Sequence, residues 1–176
     1  MTHPETGTSL DMSSAPAKRA AYALLQAQAA SLFAGERDWL ANLAQFAALI
    51  YNALPGLNWA GFYLARNEEL ILGPFQGKVA CVRIPFSRGV CGACARTLEI
   101  QLVPDVHAFA GHIACDAASR SELVLPVLVD GQLRAVFDLD SPLPARFDGD
   151  DAQGLSAALA LLVQATDWDT RPENKA

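Results

Sequence analysis

Apolar side chains recur with helical spacing in some parts of the chain and form short apolar segments in others, and these patterns predict where helices and strands lie. Between positions 36 and 53 they return every three or four residues, as on an amphipathic helix, and Pro55-Gly56 follows as a stop signal. An Ala- and Gln-rich stretch before it lacks Gly and Pro, which also favours helix. The predicted helices are Ala17–Phe33, Glu36–Ala53, a short one at Gly89–Thr97, and Asp150–Ala165.

The segments between these helices have the apolar composition of β-strands. Asp130-Gly131 separates the last two of them and is a strong signal for a hairpin. Helices on both sides of a run of hairpin-linked strands predict an α+β fold, an antiparallel sheet with N- and C-terminal helices packed on one face. The predicted strands are Ala60–Ala65, Glu69–Leu72, Val79–Ile84, Ile100–Val103, Leu123–Leu128 and Leu133–Leu139.

Length and composition are those of one globular domain. The chain has 176 residues, of which 52% are hydrophobic and 18% charged, and this is enough to bury a core. We expect a single domain over residues 17–167, with tails at 1–16 and 168–176. The net charge of -6 disfavours nucleic acid and anionic membranes as partners. Without an apolar run of about 18 residues or a secretory signal, a cytoplasmic protein is expected.

Four cysteines, Cys81, Cys91, Cys94 and Cys115, fall within one short part of the chain. In a reducing compartment, clustered cysteines are more often catalytic or metal-binding than structural. Cys91 and Cys94 form a C-x-x-C motif at the start of the predicted short helix, where backbone N–H groups would lower a thiol pKa. This motif alone suggests either a dithiol redox pair or half of a zinc site.

A zinc site would need further ligands, and Cys81, Cys115, His107 or His112 could supply them. No second C-x-x-C follows the motif, and His107 and His112 lie in a Gly-containing segment typical of a solvated loop, so no metal is expected. The segment around Cys115 is polar and rich in small residues, which predicts a loop leading into the strand near Glu122.

Acidic residues mark one face of the predicted hairpin. Asp138 and Asp140 point to the same side because side chains alternate along a strand. That side either faces solvent or forms the floor of a pocket, since buried carboxylates without partners are costly. A strict two-residue loop would pair Glu122 with Leu139 and point it away. A three-residue loop ending in Gly131, with a bulge, would pair Glu122 with Asp138 and bring the three acids together. A functional site therefore predicts the bulged turn.

The segment Trp59-Ala-Gly-Phe-Tyr63 begins the first predicted strand. Its aromatic residues either belong to the core, or Trp59 forms the wall of a pocket for a small apolar group such as a methyl.

Several ordered blocks of the chain closely resemble the free methionine-(R)-sulfoxide reductases, which are GAF-domain enzymes. The similarity runs from about Ala17 to Asp167 without an obvious gap. The blocks are Gly73–Pro85, Arg88–Gly92, Gly111–Ser119, Glu122–Pro126 and Phe137–Ser141.

The resemblance implies a role for three of the cysteines. Cys115 would attack the sulfoxide sulfur, Cys81 would resolve the sulfenic acid as a disulfide, and Cys91 would be a second resolving or relay thiol. Cys94 has no counterpart in the family pattern, which leaves the resolving partner open. No cofactor is implied. Thioredoxin would be the reductant, and the enzyme would be a homodimer.

The resemblance also implies how the substrate is held. Glu122 and Asp140 would hydrogen-bond the sulfoxide oxygen, and Asp138 would bind the amino group. Trp59 would pack against the substrate methyl, with Tyr63 nearby. Two other functions fit the residues less well: a non-catalytic GAF module that binds a small molecule as a sensor, and a C-x-x-C dithiol oxidoreductase centred on Cys91 and Cys94.

Overall fold

The structure is a computed structural model that describes residues 10–109, 111 and 117–168. The outer parts of both predicted tails, residues 1–9 and 169–176, lie outside the described residues, as does position 110. The helices are α1 (Ala15–Leu32), α2 (Trp39–Ala53), α3 (Gly89–Thr97) and α4 (Gly149–Ala165). The strands are β1 (Trp59–Arg66), β2 (Glu69–Gly77), β3 (Arg83–Pro85), β4 (Gln101–Val103), β5 (Ser121–Val129) and β6 (Gln132–Ser141).

Polar side chains fix where the long helices begin. Ser14 caps α1, and Asp38 caps α2 by accepting a hydrogen bond from the N–H of Ala41 at 2.8 Å. This cap places the start of α2 at Trp39, three residues after the predicted start at Glu36. The predicted bounds of α3 are confirmed, and those of α1 and α4 are correct to within two residues.

The strands form one antiparallel sheet in the order β3-β2-β1-β6-β5-β4. Helices α1, α2 and α4 pack on one face through a large apolar core, and α3 covers the opposite face. The predicted α+β class, with the N- and C-terminal helices on one face of an antiparallel sheet, is confirmed. Within the described ranges, every helix is too short or too polar to span a lipid bilayer.

The predicted strand Val79–Ile84 is wrong over most of its length. The strand β3 covers only Arg83–Pro85, and the residues before it form a loop. Val79 and Val82 are 88% and 64% exposed, so the apolar pattern of this segment does not report burial. We call residues 78–82 the pocket loop, because part of it lines the cavity described below.

The β5–β6 hairpin corrects the predicted turn. Its loop has two residues, Asp130 and Gly131, with φ angles of 51° and 75°. The bulge lies instead inside β6, where Arg134 is the extra residue between the pairs Leu128–Leu133 and Val127–Ala135.

The displaced bulge changes the pairing of the acids. Glu122 lies opposite Asp140, so the predicted pairing with Asp138 is wrong. Because Asp138 is two residues from Asp140, all three acids still share one face, as predicted.

Candidate active site

A cavity lies between the sheet and α3, on the face opposite the main core. Strand alternation delivers to it Trp59 and Tyr63 from β1, Glu122 from β5, and Asp138 and Asp140 from β6. Cys91 from the first turn of α3 also lines it. The described structure therefore brings together six of the eight side chains that the sequence singled out.

The acidic side chains form the base of this cavity and are largely removed from water. Glu122 and Asp138 are each 6% exposed, and Asp140 is half-buried. Burial raises the pKa of Glu122 well above its usual range, and the nearby charges of Asp138 and Asp140 raise it further. The pKa of Asp138 is also raised, by burial and then by Asp140. Burial and mutual repulsion therefore favour the protonated forms of these two acids.

Cys91 lies in direct contact with these acids. Its Sγ donates a hydrogen bond to Oε1 of Glu122 at 3.8 Å. The thiol pKa is raised well above its usual value, first by burial and then by the charges of Asp138 and Glu122. The predicted lowering of this pKa by the helix N-terminus is therefore wrong, because burial and two neighbouring carboxyl groups outweigh the helix dipole.

Cys94 lies one turn further along α3 and is fully buried. Burial, with smaller contributions from Asp138 and Glu122, raises its pKa to about 12. Both Cys91 and Cys94 carry free thiols. A dithiol exchange motif requires an accessible thiolate, so this environment does not favour a carrier centred on the C-x-x-C pair.

The zinc alternative around that motif can be compared with the structure only for the ligands among the described residues. Among the described residues, the side chains close enough to share a metal ion are Cys91, Glu122 and Asp138, with ligand atoms within 4.8 Å of one another. Cys94 is not among them. His107 lies exposed on a short 3₁₀ turn, and the predicted ligands His112 and Cys115 lie outside the described residues.

An aromatic stack forms the apolar wall of the cavity. The indole of Trp59 stacks on Tyr63 with a centroid distance of 5.7 Å, and on Phe75 of β2 at 5.4 Å. Gly61 permits this arrangement, because a Cβ there would lie 2.3 Å from the Cβ of Phe75. Trp59 Nε1 also donates a hydrogen bond to the carbonyl of Lys78 at 3.2 Å, which ties the pocket loop to the stack.

Sequence reasoning missed several residues of this site. Phe75 packs behind Trp59, while Lys78, Ile84 and Ser119 line the cavity itself. Phe75 and Lys78 lie in a block that carried the family resemblance, but no periodicity or motif assigned them a role.

Of the predicted resolving and nucleophilic cysteines, Cys81 is among the described residues and Cys115 is not. Cys81 belongs to the pocket loop, is partly exposed and is disulfide-bonded. Cys115, the predicted nucleophile, lies outside the described residues.

One carboxyl oxygen of a cavity-lining residue has no hydrogen-bond partner among the described residues. Oδ1 of Asp138 is buried and accepts no hydrogen bond from any described residue. Buried polar atoms are nearly always hydrogen-bonded, to protein, water or a ligand. This oxygen is therefore a candidate contact for a bound polar group.

Comparisons with known proteins agree with this architecture. A model of the GAF domain matches residues 13–166. The free methionine-R-sulfoxide reductase of Escherichia coli (strain K12) is 52% identical over 141 residues, which cover 80% of this chain and 86% of that protein. A crystal structure described as a putative GAF sensor protein from Burkholderia vietnamiensis is 53% identical, with a TM-score of 0.82, and the match covers 85% of this chain and 95% of that one.

A further solved structure contains a ligand. The X-ray structure of free methionine-R-sulfoxide reductase from Neisseria meningitidis, in complex with its substrate, is 42% identical with a TM-score of 0.83. The match covers 91% of this chain and 95% of that one. The chain therefore belongs to the free methionine-R-sulfoxide reductases, a family of enzymes built on the GAF fold.

Proposed function

We propose that this protein reduces free methionine-(R)-sulfoxide to methionine with a cysteine thiol, in the cavity between α3 and the sheet. The observation that carries the proposal is the buried cluster of Glu122, Asp138 and Cys91 beside the indole of Trp59. It combines a proton donor, an unpaired carboxylate oxygen and an apolar wall within one small space. Similarity to the reductases of Escherichia coli and Neisseria meningitidis supports it.

The proposed substrate orientation follows from the polarity of the cavity. The methyl group packs against Trp59, with Tyr63 behind it. The ammonium group binds Asp138, whose Oδ1 accepts no hydrogen bond from the described residues. A methionine sulfoxide within a peptide has no ammonium group, so this contact selects the free amino acid. Glu122 and Asp140 then hydrogen-bond the sulfoxide oxygen.

Substrate binding would divide the roles of the two buried acids. An ammonium group beside Asp138 stabilises its charged form and so lowers its pKa. The resulting negative charge raises the pKa of Glu122, since the Asp138 charge already acts on it in that direction. Glu122 therefore keeps its proton and can donate it to the sulfoxide oxygen, which makes the sulfur electrophilic.

The redox chemistry needs two thiols for each turnover. The sulfur of Cys115 bonds to the sulfoxide sulfur, and the protonated oxygen then passes to Cys115 while the S–O bond and the new S–S bond break, which gives a Cys115 sulfenic acid and methionine. Cys81 then attacks the sulfenic sulfur, which releases water and forms a Cys81–Cys115 disulfide. This pairing is consistent with a disulfide-bonded Cys81 and free thiols at Cys91 and Cys94.

Cys91 remains a proposed second resolving thiol. Its burial and raised pKa favour the protonated form, so it would react more slowly than an exposed thiolate. In its resting position the thiol acts as a hydrogen-bond donor to Glu122.

We further propose that thioredoxin returns the disulfide to two thiols, that no bound cofactor takes part, and that the enzyme is a cytoplasmic homodimer. A protein disulfide reductant supplies the two electrons that each turnover consumes. Light scattering of the purified chain tests the dimer.

The decisive experiment replaces Cys115 with serine. Turnover of free methionine-(R)-sulfoxide, with dithiothreitol as reductant, should fall at least about 10³-fold, because the nucleophile is lost. The S epimer and N-acetylmethionine sulfoxide serve as substrate controls and should react poorly with the unaltered enzyme. If Cys115→Ser retains turnover, position 115 is not the nucleophile.

A non-catalytic sensor is the second candidate, and the neighbour described as a putative GAF sensor protein is the observation that favours it. A sensor would bind methionine sulfoxide or another small molecule without converting it. Calorimetric binding together with no methionine formation in the assay above would support the sensor and contradict the reductase.

A further inference from the structure

The pocket loop exposes apolar side chains next to a disulfide. Val79 and Val82 flank Cys81 at two positions and one position along the chain, and they are the most exposed large apolar residues in the described part of the chain. Cys81 itself is partly exposed. We call Val79, Cys81 and Val82 the disulfide rim.

This exposure is not a consequence of a disordered backbone. The N–H of Leu72 donates a hydrogen bond to the carbonyl of Val82 at 3.0 Å, and Trp59 bonds the carbonyl of Lys78. Both ends of the loop are thus anchored to the sheet, and the two valine side chains are held towards solvent. A single exposed valine is ordinary, but two on either side of a redox-active sulfur require an explanation.

The charge around the disulfide rim also differs from that of the whole molecule. Residues 78–83 carry Lys78 and Arg83 but no acidic residue, whereas the chain has a net charge of -6. Glu69 of β2 pairs with Arg83 at 2.9 Å and offsets part of this charge. The disulfide rim is therefore an apolar surface that carries no acidic residue and has a basic residue on either side, which suits a partner with an acidic contact surface.

Disulfide exchange requires contact at this place. The attacking thiolate must approach one sulfur of the disulfide along the S–S axis, so the reductant has to touch the residues beside that sulfur. A large protein dithiol can make such contacts only at an exposed surface. Cys81 with its two flanking valines provides one.

We propose that the disulfide rim is the docking surface for a protein dithiol reductant and that this reductant attacks Cys81. The inference rests on the proposed function. The thiolate of the reductant bonds to Sγ of Cys81, the existing disulfide breaks, and its other sulfur leaves as a thiolate that takes up a proton. The second thiol of the reductant then cleaves the mixed disulfide, so two electrons and two protons enter the enzyme and the reductant leaves oxidised.

The test compares Val82→Glu with Leu40→Glu. Val82 does not line the cavity, and Leu40 is a matched control because it is 52% exposed at the start of α2. Each variant is assayed with free methionine-(R)-sulfoxide and either dithiothreitol or thioredoxin with its reductase. We expect Val82→Glu to raise the KM for thioredoxin about fivefold or more, through loss of an apolar contact and addition of a repulsive charge. The rate of Val82→Glu with dithiothreitol should be unchanged. The rates of Leu40→Glu with dithiothreitol and with thioredoxin should also be unchanged.

Two further measurements keep the proposal independent of one variant. A thioredoxin whose second cysteine is serine should be trapped as a mixed disulfide on Cys81, as identified by peptide mass mapping. Raising the ionic strength should increase the KM for thioredoxin and leave the dithiothreitol rate unaffected.

The outcomes separate this inference from the function on which it rests. A Val82→Glu enzyme with an unchanged KM for thioredoxin, or a trapped bond on another cysteine alone, overturns the docking surface while the reductase function stands. If the unaltered enzyme shows no turnover with dithiothreitol, the proposed function fails and the docking surface fails with it.

Discussion

The two faces of the sheet differ in the free energy that is needed to bury their side chains. On the face that packs against α1, α2 and α4, the rings of Phe46, Phe62 and Phe137 meet with centroid distances of 4.6–5.9 Å. On the face under α3, Glu122 and Asp138 are almost as well buried. Phe137 and Asp138 are consecutive residues of one strand, yet each belongs to a different face.

Because of this difference, one face of the sheet stabilises the fold and the other carries the groups of the candidate active site. Burial of aromatic rings is favourable without any polar cost, so the helix-covered face stabilises the fold. Burial of carboxyl groups is unfavourable unless they keep their protons, and the raised pKa values of Glu122 and Asp138 record that cost. A substitution on the first face should therefore lower stability, whereas one at a neighbouring position on the second face should lower activity and leave stability intact.

The largest expected effect comes from Glu122→Gln. The glutamine can still donate a hydrogen bond but cannot transfer a proton, so kcat/KM for free methionine-(R)-sulfoxide should fall about 10²–10⁴-fold. Stability should be retained, because the variant removes a buried titratable group. Steady-state assays with dithiothreitol measure the loss, and Glu99→Gln at an exposed position is the control. Near-normal activity in Glu122→Gln would exclude Glu122 as the acid.

Phe137→Ala probes the opposite face. Loss of this fully buried ring should lower the free energy of unfolding by about 3–5 kcal/mol, through lost apolar burial and the cavity left behind. Urea denaturation followed by circular dichroism measures it. A loss below about 1 kcal/mol would contradict the assignment of stability to this face.

Asp138→Asn, one residue away, should reverse that pattern. We expect no loss of unfolding free energy, since a neutral amide replaces a buried carboxyl group. The KM for the free substrate should rise about 10–100-fold, as expected for a lost charge-assisted hydrogen bond. The KM for N-acetylmethionine sulfoxide should change little, because that substrate lacks the ammonium group. An equal rise for both substrates would argue against the ammonium contact.

The smallest effect is a pH dependence of stability. The pKa values of Glu122 and Asp138 are raised in the folded state, so folding retains protons that the unfolded chain loses above a pH of about 4. Their contribution therefore favours folding at low pH and declines as the pH rises from that point towards the folded-state values. The double variant Glu122→Gln/Asp138→Asn should gain about 1 kcal/mol or more relative to wild type between pH 4 and 8. Urea titrations at several pH values measure it, and a difference that stays constant with pH would contradict the raised pKa values.

Helix α2 was predictable because its apolar residues recur with helical spacing on the face that meets the core. The hairpin was predictable because Asp130-Gly131 separates two apolar segments. Prediction failed at residues 79–82, where Val79 and Val82 point to solvent, so that apolar composition imitated a strand. The aromatic stack was not predictable either, since it depends on the missing side chain of Gly61 and on a register shift between β1 and β2.

The sequence predicted which residues form the site but not the direction of the pKa shift at Cys91. A helix N-terminus contributes about 0.3–1 kcal/mol to a nearby charge, whereas full burial can shift a pKa by several units. The burial of Cys91 beside Glu122 raises the thiol pKa, and no local sequence pattern reveals how deeply a residue is buried. The pairing of Glu122 was also beyond local rules, because the extra residue at Arg134 lies in the strand and not in the turn.

That extra residue separates the hairpin into two parts with independent geometry. The tip is set by the left-handed backbone of Asp130 and Gly131, and the stem is set by which side chains are buried. Because the bulge absorbs the mismatch between them, the tip can be rebuilt without moving an acid to the wrong face. The exposed tip is therefore a suitable place for a fluorescent reporter or an affinity peptide in engineered forms of this enzyme.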